Sequence, residues 1–223
     1  MNPKNRTMII VVGAVVLVLA LAGLAVLLTG SDDEATGVLA PGESALEPVE
    51  IEENRPVEVT GAPVPEHDKE AAADPAIGTP LPTLTGQTFD GQPITVGGPS
   101  DGPTLVVYLA HWCPHCNDEI PELITVNQRG GFADDLTVVG ISTGVDPSAP
   151  NYPPSEWLVD KGWPWRTLAD TAESTSFVVS GGSGFPYMVV LDAEGNILAR
   201  DSGEKPADEL EAWVNDALAT ADA

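Results

Sequence analysis

The stretch that decides the fold is Ala110-His-Trp-Cys-Pro-His-Cys-Asn-Asp-Glu-Ile-Pro121. It follows residues 104–109, a near-continuous apolar run that is typical of a buried central strand. A helix is predicted after the cysteines, through about residue 129. Cys113 and Cys116 therefore lie where a buried strand ends and a helix begins. A helix N-terminus presents unpaired N–H groups and a partial positive charge, which stabilise a thiolate on the first cysteine.

The spacing of the two cysteines predicts redox chemistry. Three residues of separation bring Cys116 within reach of Cys113 on one face of the helix. Cys113 can attack a disulfide as a thiolate, and Cys116 can then resolve the mixed disulfide. His115 adds a second positive influence when protonated and can donate a hydrogen bond to the Cys113 thiolate. The chain has two cysteines in all, and a pair this close closes almost no loop, so we expect a chemical role for it.

The remainder of the C-terminal part alternates short apolar runs with helical patterns. We predict a turn at residues 90–91 followed by a strand, further strands over 136–142 and 165–168, and a hairpin of 187–192 with 196–200. Helices are predicted over residues 155–161, 171–179 and 206–219. Together these elements predict an α/β domain over residues 77–223, with a mixed central sheet flanked by helices.

The N-terminal part predicts a membrane anchor. Residues 8–28 form an uninterrupted apolar run, which as a helix would span roughly 30 Å and match the hydrocarbon core of a bilayer. Lys4 and Arg6 precede the run and acidic residues follow it. The positive-inside rule then places residues 1–7 in the cytoplasm and the rest outside, as a single-pass signal anchor with its transmembrane helix in the cell membrane. A cleaved signal peptide is the alternative, with Ala20-Leu21-Ala22 as its small-residue site.

Residues 29–76 predict a linker. They hold six prolines, many acids and no aromatic side chain. Such a segment buries too little apolar surface to offset its ordering entropy, so we expect an extended, disordered linker that holds the domain off the membrane. His67 lies in this segment and is expected to be a solvated polar residue.

The charge of the chain excludes one class of function. There are 34 acidic against 9 basic residues, for a formal net charge of −25. Such a surface repels phosphate backbones, so we expect no nucleic acid partner, because binding one needs clustered Lys and Arg. The acidic excess describes the surface and identifies no substrate.

The cysteine stretch resembles the active site of thioredoxin-like proteins, and specifically the TlpA/ResA-type branch, whose motif reads W-C-x-x-C-x-x-E-x-P. Its fixed positions are met by Trp112, Cys113, Cys116, Glu119 and Pro121. The resemblance covers about residues 77–220. It implies a thioredoxin fold and a membrane-anchored thiol–disulfide oxidoreductase whose catalytic domain is extracytoplasmic.

The resemblance also implies residues that bind substrate. A cis proline faces the cysteine pair in this family, and Gly184-Phe-Pro-Tyr187 is the match here. Phe185 would then offer backbone pairing to a bound peptide, and Pro186 would abut the cysteines. Trp112 and Pro114, which flank Cys113, complete the predicted substrate-binding set.

A proton acceptor for Cys116 is implied as well. Thioredoxin itself carries a buried aspartate in the strand before the cysteines, whereas the strand at residues 104–109 contains no acid. The resemblance assigns this role to Glu119, one helical turn after Cys116. Partial burial would raise the pKa of Glu119 towards neutrality, which suits a proton shuttle.

The direction of electron flow is left open by two conflicting signals. Pro114-His115 is the dipeptide of DsbA-like oxidases, in which it makes the disulfide a strong oxidant. The TlpA/ResA-type scaffold instead implies a reductase, which we favour slightly over an oxidase or isomerase. The expected partners are exported protein thiols and disulfides and a membrane redox partner that donates or accepts electrons. No cofactor is expected.

A copper-binding or metallochaperone module is the alternative from a different class. Thioredoxin-like copper chaperones use paired cysteines and a histidine, and His111 and His115 supply nitrogens here. Those proteins usually have a longer cysteine spacing and a distal histidine, whereas no histidine follows His115. No distant cysteine exists to complete a zinc site, so we predict no metal site.

Overall fold

A computed structural model describes residues 49–221. Within this range the chain forms eight strands and four helices. In chain order these are β1 (Glu58–Thr60), β2 (Thr83–Gln87), β3 (Pro93–Val96), β4 (Thr104–Leu109), α1 (Pro114–Gln128), β5 (Thr137–Ser142), α2 (Pro154–Asp160), β6 (Thr167–Ala169), α3 (Thr175–Val179), β7 (Tyr187–Leu191), β8 (Ile197–Ser202) and α4 (Ala207–Ala221). Among the residues described, no helix has the length and apolar character needed to cross a membrane. The predicted anchor at residues 8–28 lies outside them.

The central sheet has five strands in the order β6-β5-β4-β7-β8. β4 pairs in parallel with β5 and antiparallel with β7, and β8 adds to β7 in antiparallel orientation. The sheet is therefore mixed and flanked by helices, which confirms the predicted α/β class and thioredoxin fold. All six residues of β4 are buried, as expected for a central strand covered on both faces.

The two faces of β4 contribute to two separate apolar clusters, because side chains alternate across a strand. Leu105, Val107 and Leu109 pack in a cluster with residues of α1 and α4. Val106 and Tyr108 pack in a second cluster with residues of β2 and β3. Helices α1, α2 and α4 thus cover one face of the sheet. A small sheet of order β1-β2-β3 packs on the other face, together with α3.

Most predicted elements are present, with shifts at their ends. The strand predicted from residue 165 begins at Thr167. The helix predicted from residue 171 begins only at Thr175, because Ser174 has a φ of 58° and interrupts the helical backbone. The buried carboxylate of Asp170 accepts the backbone N–H groups of Thr171 and Ser176 on either side of that interruption. Strands β1 and β2 lie outside the predicted elements.

Helix α1 continues through Pro121, which removes one backbone N–H from the helix. The acceptor that this N–H would have bonded is the Asn117 carbonyl, four residues earlier. That carbonyl accepts a hydrogen bond from Lys161 Nζ instead, at 3.2 Å. Because Lys161 caps the C-terminus of α2, the interrupted turn of α1 is tied to α2.

The structure corrects the C-terminal part of the predicted linker. Residues 49–76, called the strap below, pack on the domain instead of extending away from it. Within the strap β1 pairs antiparallel with β2, and Val57, Val59 and Val64 pack against the second apolar cluster. The domain therefore begins well before residue 77. Residues 29–48 of the predicted linker lie outside the described range.

Long-range polar contacts explain why the strap is ordered. The Arg200 side chain is fully buried and binds Asp74 Oδ1 at 2.5 Å and the Pro65 carbonyl at 2.8 Å. The His67 N–H donates to the Gly181 carbonyl at 2.8 Å, and His67 is only 8% exposed. The expectation that His67 is solvated is therefore wrong. These bonds help to offset the conformational entropy that the strap loses when it is ordered, which its composition alone would not offset.

Candidate active site

Cys113 is the N-cap residue of α1. Its backbone is extended, with φ −76° and ψ 121°, and Pro114 follows at the start of the helix. The Cys113 N–H donates to the Ala110 carbonyl at 3.0 Å and fixes the turn between β4 and α1. Cys113 is 5% exposed. The first cysteine thus lies at the positive end of the helix dipole, as the sequence predicts.

Cys116 lies within the first turn of α1 and is fully buried. Burial raises the pKa of its thiol well above the ordinary value, and the neighbouring Cys113 thiol and Glu119 carboxylate raise it further. Only a thiolate attacks a disulfide. Cys116 therefore needs a nearby group that accepts its proton.

Glu119 lies one turn further along α1 and is also fully buried. Its Oε2 accepts a 2.7 Å hydrogen bond from the Lys205 backbone N–H, whereas its Oε1 has no partner among the described residues. Burial raises the pKa of this carboxyl to about 7, although the Lys205 N–H and ammonium act to lower it. A carboxyl that titrates near neutral pH beside a buried thiol suits proton transfer.

The start of α4 packs against the acidic side chains of α1. The Ala207 N–H donates to Glu122 Oε2 at 2.7 Å, so carboxylates of α1 bind two N–H groups at this helix N-terminus. The Lys205 ammonium is buried, donates to Asp201 and lies 5.6 Å from the centroid of the Trp213 ring. Sequence reasoning missed this support for Glu119, because residues 204–207 carry no local signal that links them to the cysteines.

The predicted cis proline is present beside the cysteines. The Phe185–Pro186 bond is cis, and the Phe185 carbonyl lies 3.8 Å from Cys113 Sγ. The Phe185 ring stacks on Phe177 at a centroid distance of 4.5 Å. It also meets the Trp112 ring edge-on at 5.7 Å. Phe185 and Pro186 are therefore next to the cysteine pair, where the family resemblance put them.

Trp112 and Pro114 flank Cys113 at the surface. Trp112 is 37% exposed, and its Nε1 donates to the Gly144 carbonyl at 2.7 Å. Pro114 is exposed as well. Both residues are accessible to a polypeptide that approaches Cys113.

His115 is placed differently from the expectation. Its side chain is 62% exposed, and its Nδ1 lies 3.0 Å from Glu204 Oε2. The imidazole therefore contacts a carboxylate from the segment before α4. We had expected it to donate a hydrogen bond to the Cys113 thiolate instead. Glu204 is a second residue near the cysteines that sequence reasoning missed.

His111 is fully buried and holds the loop that follows β5. Its Nδ1 lies 2.7 Å from the Pro150 carbonyl, and its Nε2 accepts a hydrogen bond from the Asp146 N–H at 3.1 Å. The backbone carbonyl of His111 accepts from Asn151 Nδ2 at 2.8 Å. Sequence reasoning considered His111 only as a metal ligand, and both of its ring nitrogens are bonded to protein instead.

Asn117 links α1 to α2. Its Nδ2 donates to the Cys113 carbonyl at 3.0 Å, and its Oδ1 accepts from Trp157 Nε1 at 3.0 Å. Trp157 is buried in the first apolar cluster, against which Trp163 and Trp165 also pack. All three tryptophans therefore belong to the core on this face of the sheet.

No group of three or more His, Cys, Asp and Glu side chains is arranged to hold a metal ion within residues 49–221.

Comparison with known proteins agrees with this geometry. The profile of the family described as Redoxin matches residues 76–218. The thiol:disulfide interchange protein DsbE of Pasteurella multocida is 30% identical over 139 residues, which cover 61% of this chain and 72% of that protein. A crystal structure of a thiol:disulfide interchange protein of the thioredoxin family from Chlorobium tepidum is 28% identical, with a TM-score of 0.50, and the match covers 66% of this chain and 99% of that one. The profile match includes both cysteines, Glu119 and Pro186.

Proposed function

Because this chain belongs to the Redoxin family, we propose that its thiol–disulfide oxidoreductase activity runs through Cys113 as nucleophile and Cys116 as resolving thiol, in the manner of the TlpA/ResA-type branch. One observation carries the proposal. Glu119 is buried one helical turn after a buried Cys116, its pKa is raised to about 7, and its Oε1 has no partner among the described residues. That arrangement supplies the proton acceptor that a buried resolving thiol requires.

The first step is attack on a substrate disulfide. The Cys113 thiolate, at the N-terminus of α1, bonds to one substrate sulfur, and the other substrate sulfur leaves as a thiolate. The product is a mixed disulfide between Cys113 and the substrate. A protonated His115 adds a positive charge near this end of the helix, with Glu204 Oε2 at 3.0 Å from its Nδ1 as the competing partner.

The second step releases the substrate. The Glu119 carboxylate takes the Cys116 proton, and the resulting thiolate attacks Cys113 Sγ. The second substrate sulfur leaves as a thiolate, and a Cys113–Cys116 disulfide forms. Two electrons have passed from the cysteine pair to the substrate. Oxidation of a substrate dithiol is the same sequence run backwards.

Four residues around Cys113 bind the substrate polypeptide in this proposal. Trp112 and Pro114 are exposed beside the sulfur, and Phe185 presents its carbonyl 3.8 Å from it. The Phe185 carbonyl can pair with a backbone N–H of an extended peptide, as at an exposed sheet edge. Pro186, joined to Phe185 by the cis bond, completes the set.

We further propose that the chain acts outside the cytoplasm and favours reduction. Residues 1–7 would lie in the cytoplasm, residues 8–28 would anchor the chain in the membrane, and residues 29–48 would join the anchor to the domain. The substrates would then be disulfides of exported proteins. A reductase in this position needs a membrane redox partner that donates electrons to the Cys113–Cys116 disulfide.

The roles of the two cysteines are tested by trapping. With insulin as the disulfide substrate, Cys116→Ser should accumulate a mixed disulfide, because the resolving step is removed. Cys113→Ser should form none and should lose insulin reduction. Mass spectrometry of the non-reduced protein measures both. Intact exchange in Cys113→Ser would refute the proposed nucleophile.

The direction of electron flow is tested by the reduction potential of the pair. Tryptophan fluorescence in glutathione buffers reports the equilibrium. A potential of about −250 mV or lower supports a reductase, and one between about −120 and −180 mV groups the protein with oxidases and isomerases. The second outcome would contradict the proposed direction while leaving the exchange chemistry intact.

A further inference from the structure

We propose that residues 144–152, called the wall loop below, form a second substrate-binding wall beside the cysteine pair, that Tyr152 contacts the bound polypeptide, and that His111 is the positioning residue for this loop. The inference rests on the proposed function, since it concerns the polypeptide that brings a disulfide to Cys113. The ligand class is an extended protein segment with an apolar or aromatic side chain near its cysteine.

The first end of the wall loop lies beneath the aromatic pair at the site. Gly144 accepts the 2.7 Å hydrogen bond from Trp112 Nε1. A Cβ on Gly144 would lie 3.7 Å from the Phe185 ring and 3.8 Å from the Trp112 ring. Because the Phe185 carbonyl is the group 3.8 Å from Cys113 Sγ, the loop begins in direct contact with residues that border the nucleophile.

The other end of the wall loop is clamped by His111, two residues before Cys113. The Pro150 carbonyl can only accept, so the nearby Nδ1 of His111 carries the proton and Nε2 is free to accept from the Asp146 N–H. Asn151 adds a third bond, from its Nδ2 to the His111 carbonyl. A fully buried side chain thus binds the loop at two points four residues apart. A side chain that only filled a gap in the core would need neither hydrogen bond.

Tyr152 is the residue that this clamp presents to solvent. It is 45% exposed, and its ring meets the His111 ring edge-on at a centroid distance of 6.0 Å. Trp112, the residue after His111 in the chain, is 37% exposed. Two exposed aromatic rings, Trp112 next to Cys113 in the chain and Tyr152 against His111, thus offer an apolar approach to the sulfur. Aromatic side chains of this kind dominate the binding energy of protein contacts.

The test compares a protein disulfide with one too small to reach the wall. Tyr152→Ala should raise KM for insulin about fivefold or more, the usual effect of truncating an aromatic anchor. Its kcat should be unchanged, and so should its rate with hydroxyethyl disulfide. Ile77→Ala is the matched control, because the exposed fraction of Ile77, 47%, is similar to that of Tyr152. Ile77 lies away from the cysteines: the N–H of its neighbour Gly78 donates to the Ile197 carbonyl, at the end of the β7–β8 hairpin opposite Pro186.

Variants of His111 test the clamp. His111→Gln can keep an acceptor for the Asp146 N–H, whereas His111→Ala removes both side-chain bonds. If His111 positions the loop, the alanine variant raises KM for insulin as Tyr152→Ala does, and the glutamine variant recovers part of that loss. The reduction potential of the cysteine pair should be the same in all three, because no charge near the sulfurs has changed.

Each result decides the matter. A Tyr152→Ala variant that matches Ile77→Ala on insulin overturns the wall, and so does an equal loss on both disulfides. A glutamine variant no better than the alanine variant overturns the role of His111. Wild-type protein inert towards both disulfides would refute the proposed function itself, together with any substrate wall. Should His111→Ala fail to fold, Tyr152→Ala and His111→Gln still give these answers.

Discussion

At the scale of single residues, position on α1 separates the proposed roles of two chemically identical thiols. Cys113 ends a turn at a helix N-terminus, whereas Cys116 is fully enclosed and its thiol is hard to ionise. Glu119 is enclosed beside it and titrates near neutral pH for the same reason, since burial disfavours the charged form of both groups.

The pH dependence of the resolving step should follow Glu119. The carboxylate form accepts the Cys116 proton, so the wild-type rate should rise with pH through about 7, the raised pKa of this group. Glu119→Gln should remove that rise and slow resolution about a hundredfold, a usual contribution of general base catalysis. Decay of the mixed disulfide, followed after rapid mixing with insulin, measures the step. Glu122→Gln is the control, and a loss of the same size in that variant would contradict the assignment.

Glu119 should also make the protein less stable as the pH rises. Its carboxyl has a folded pKa raised from 4.5 to about 7, so between these values the folded chain holds more protons than the unfolded chain. The free energy of unfolding therefore falls as pH rises through this window, by up to about 3 kcal/mol. Glu119→Gln should be more stable than wild type above the window and equal to it below. Urea denaturation at about pH 4 and about pH 8 measures the free energy of unfolding of the variant and of wild type. A difference between the two proteins that is the same at both pH values would contradict the prediction.

At the scale of elements, the strap shows how distant residues order a polar segment. Its composition is that of a disordered chain, yet β1 adds to a sheet and Asp74 reaches Arg200, 126 residues away in sequence. Near the site, Glu53 in the strap accepts from Ser155 N at 2.9 Å, at the start of α2. The strap is therefore part of the domain that carries the cysteines.

The Asp74–Arg200 pair should be worth far more than an exposed pair. The Arg200 side chain is fully buried, so Asp74→Ala leaves an unpaired buried charge and should cost about 3–5 kcal/mol. The control is Glu52→Ala, which removes a 47% exposed carboxylate 3.5 Å from Arg55 and should cost less than about 1 kcal/mol. The free energy of unfolding in urea compares them. Equal losses would show that the strap is not held by this pair.

At the scale of the whole molecule, the main feature is the large net negative charge. With 34 acidic and 9 basic residues the net charge is −25. The basic side chains of the described range are bound to carboxylates or carbonyls, such as Arg129 to Asp208 and Glu211. The remaining acids repel one another, and this repulsion opposes the compact state.

Salt should therefore stabilise the protein. Raising the ionic strength from about 0.01 to about 0.15 M shortens the screening length from about 30 to about 8 Å. The repulsion between surface carboxylates then weakens, and we expect Tm to rise. A thermal melt followed by circular dichroism at the two salt concentrations measures the effect. A lower Tm at the higher salt concentration would mean that attractive pairs outweigh the repulsion.

The sequence predicts the centre of this domain better than its edges. The buried strand before Cys113, the helix after it and the proline at 186 follow from local patterns or from the family resemblance. Residues 49–76 do not, because their order depends on partners such as Arg200 that no local pattern reveals. The same holds for Lys205, whose N–H reaches Glu119 across 86 residues. The predictions for residues 8–28 and 29–48 lie outside the described range and remain predictions.

The hydrogen bond from the Lys205 N–H to Glu119 Oε2, 2.7 Å long, gives the active site a built-in spectroscopic reporter. The NMR frequency of an amide proton that is hydrogen-bonded to a carboxylate oxygen changes when that carboxylate gains or loses its charge. In a nitrogen-15 correlation spectrum the Lys205 signal should move with pH around a midpoint near 7, the titration of Glu119. It should do so in the resting protein, without substrate or dye. The protonation state of a group that no solvent-borne probe can touch could then be read from one peak.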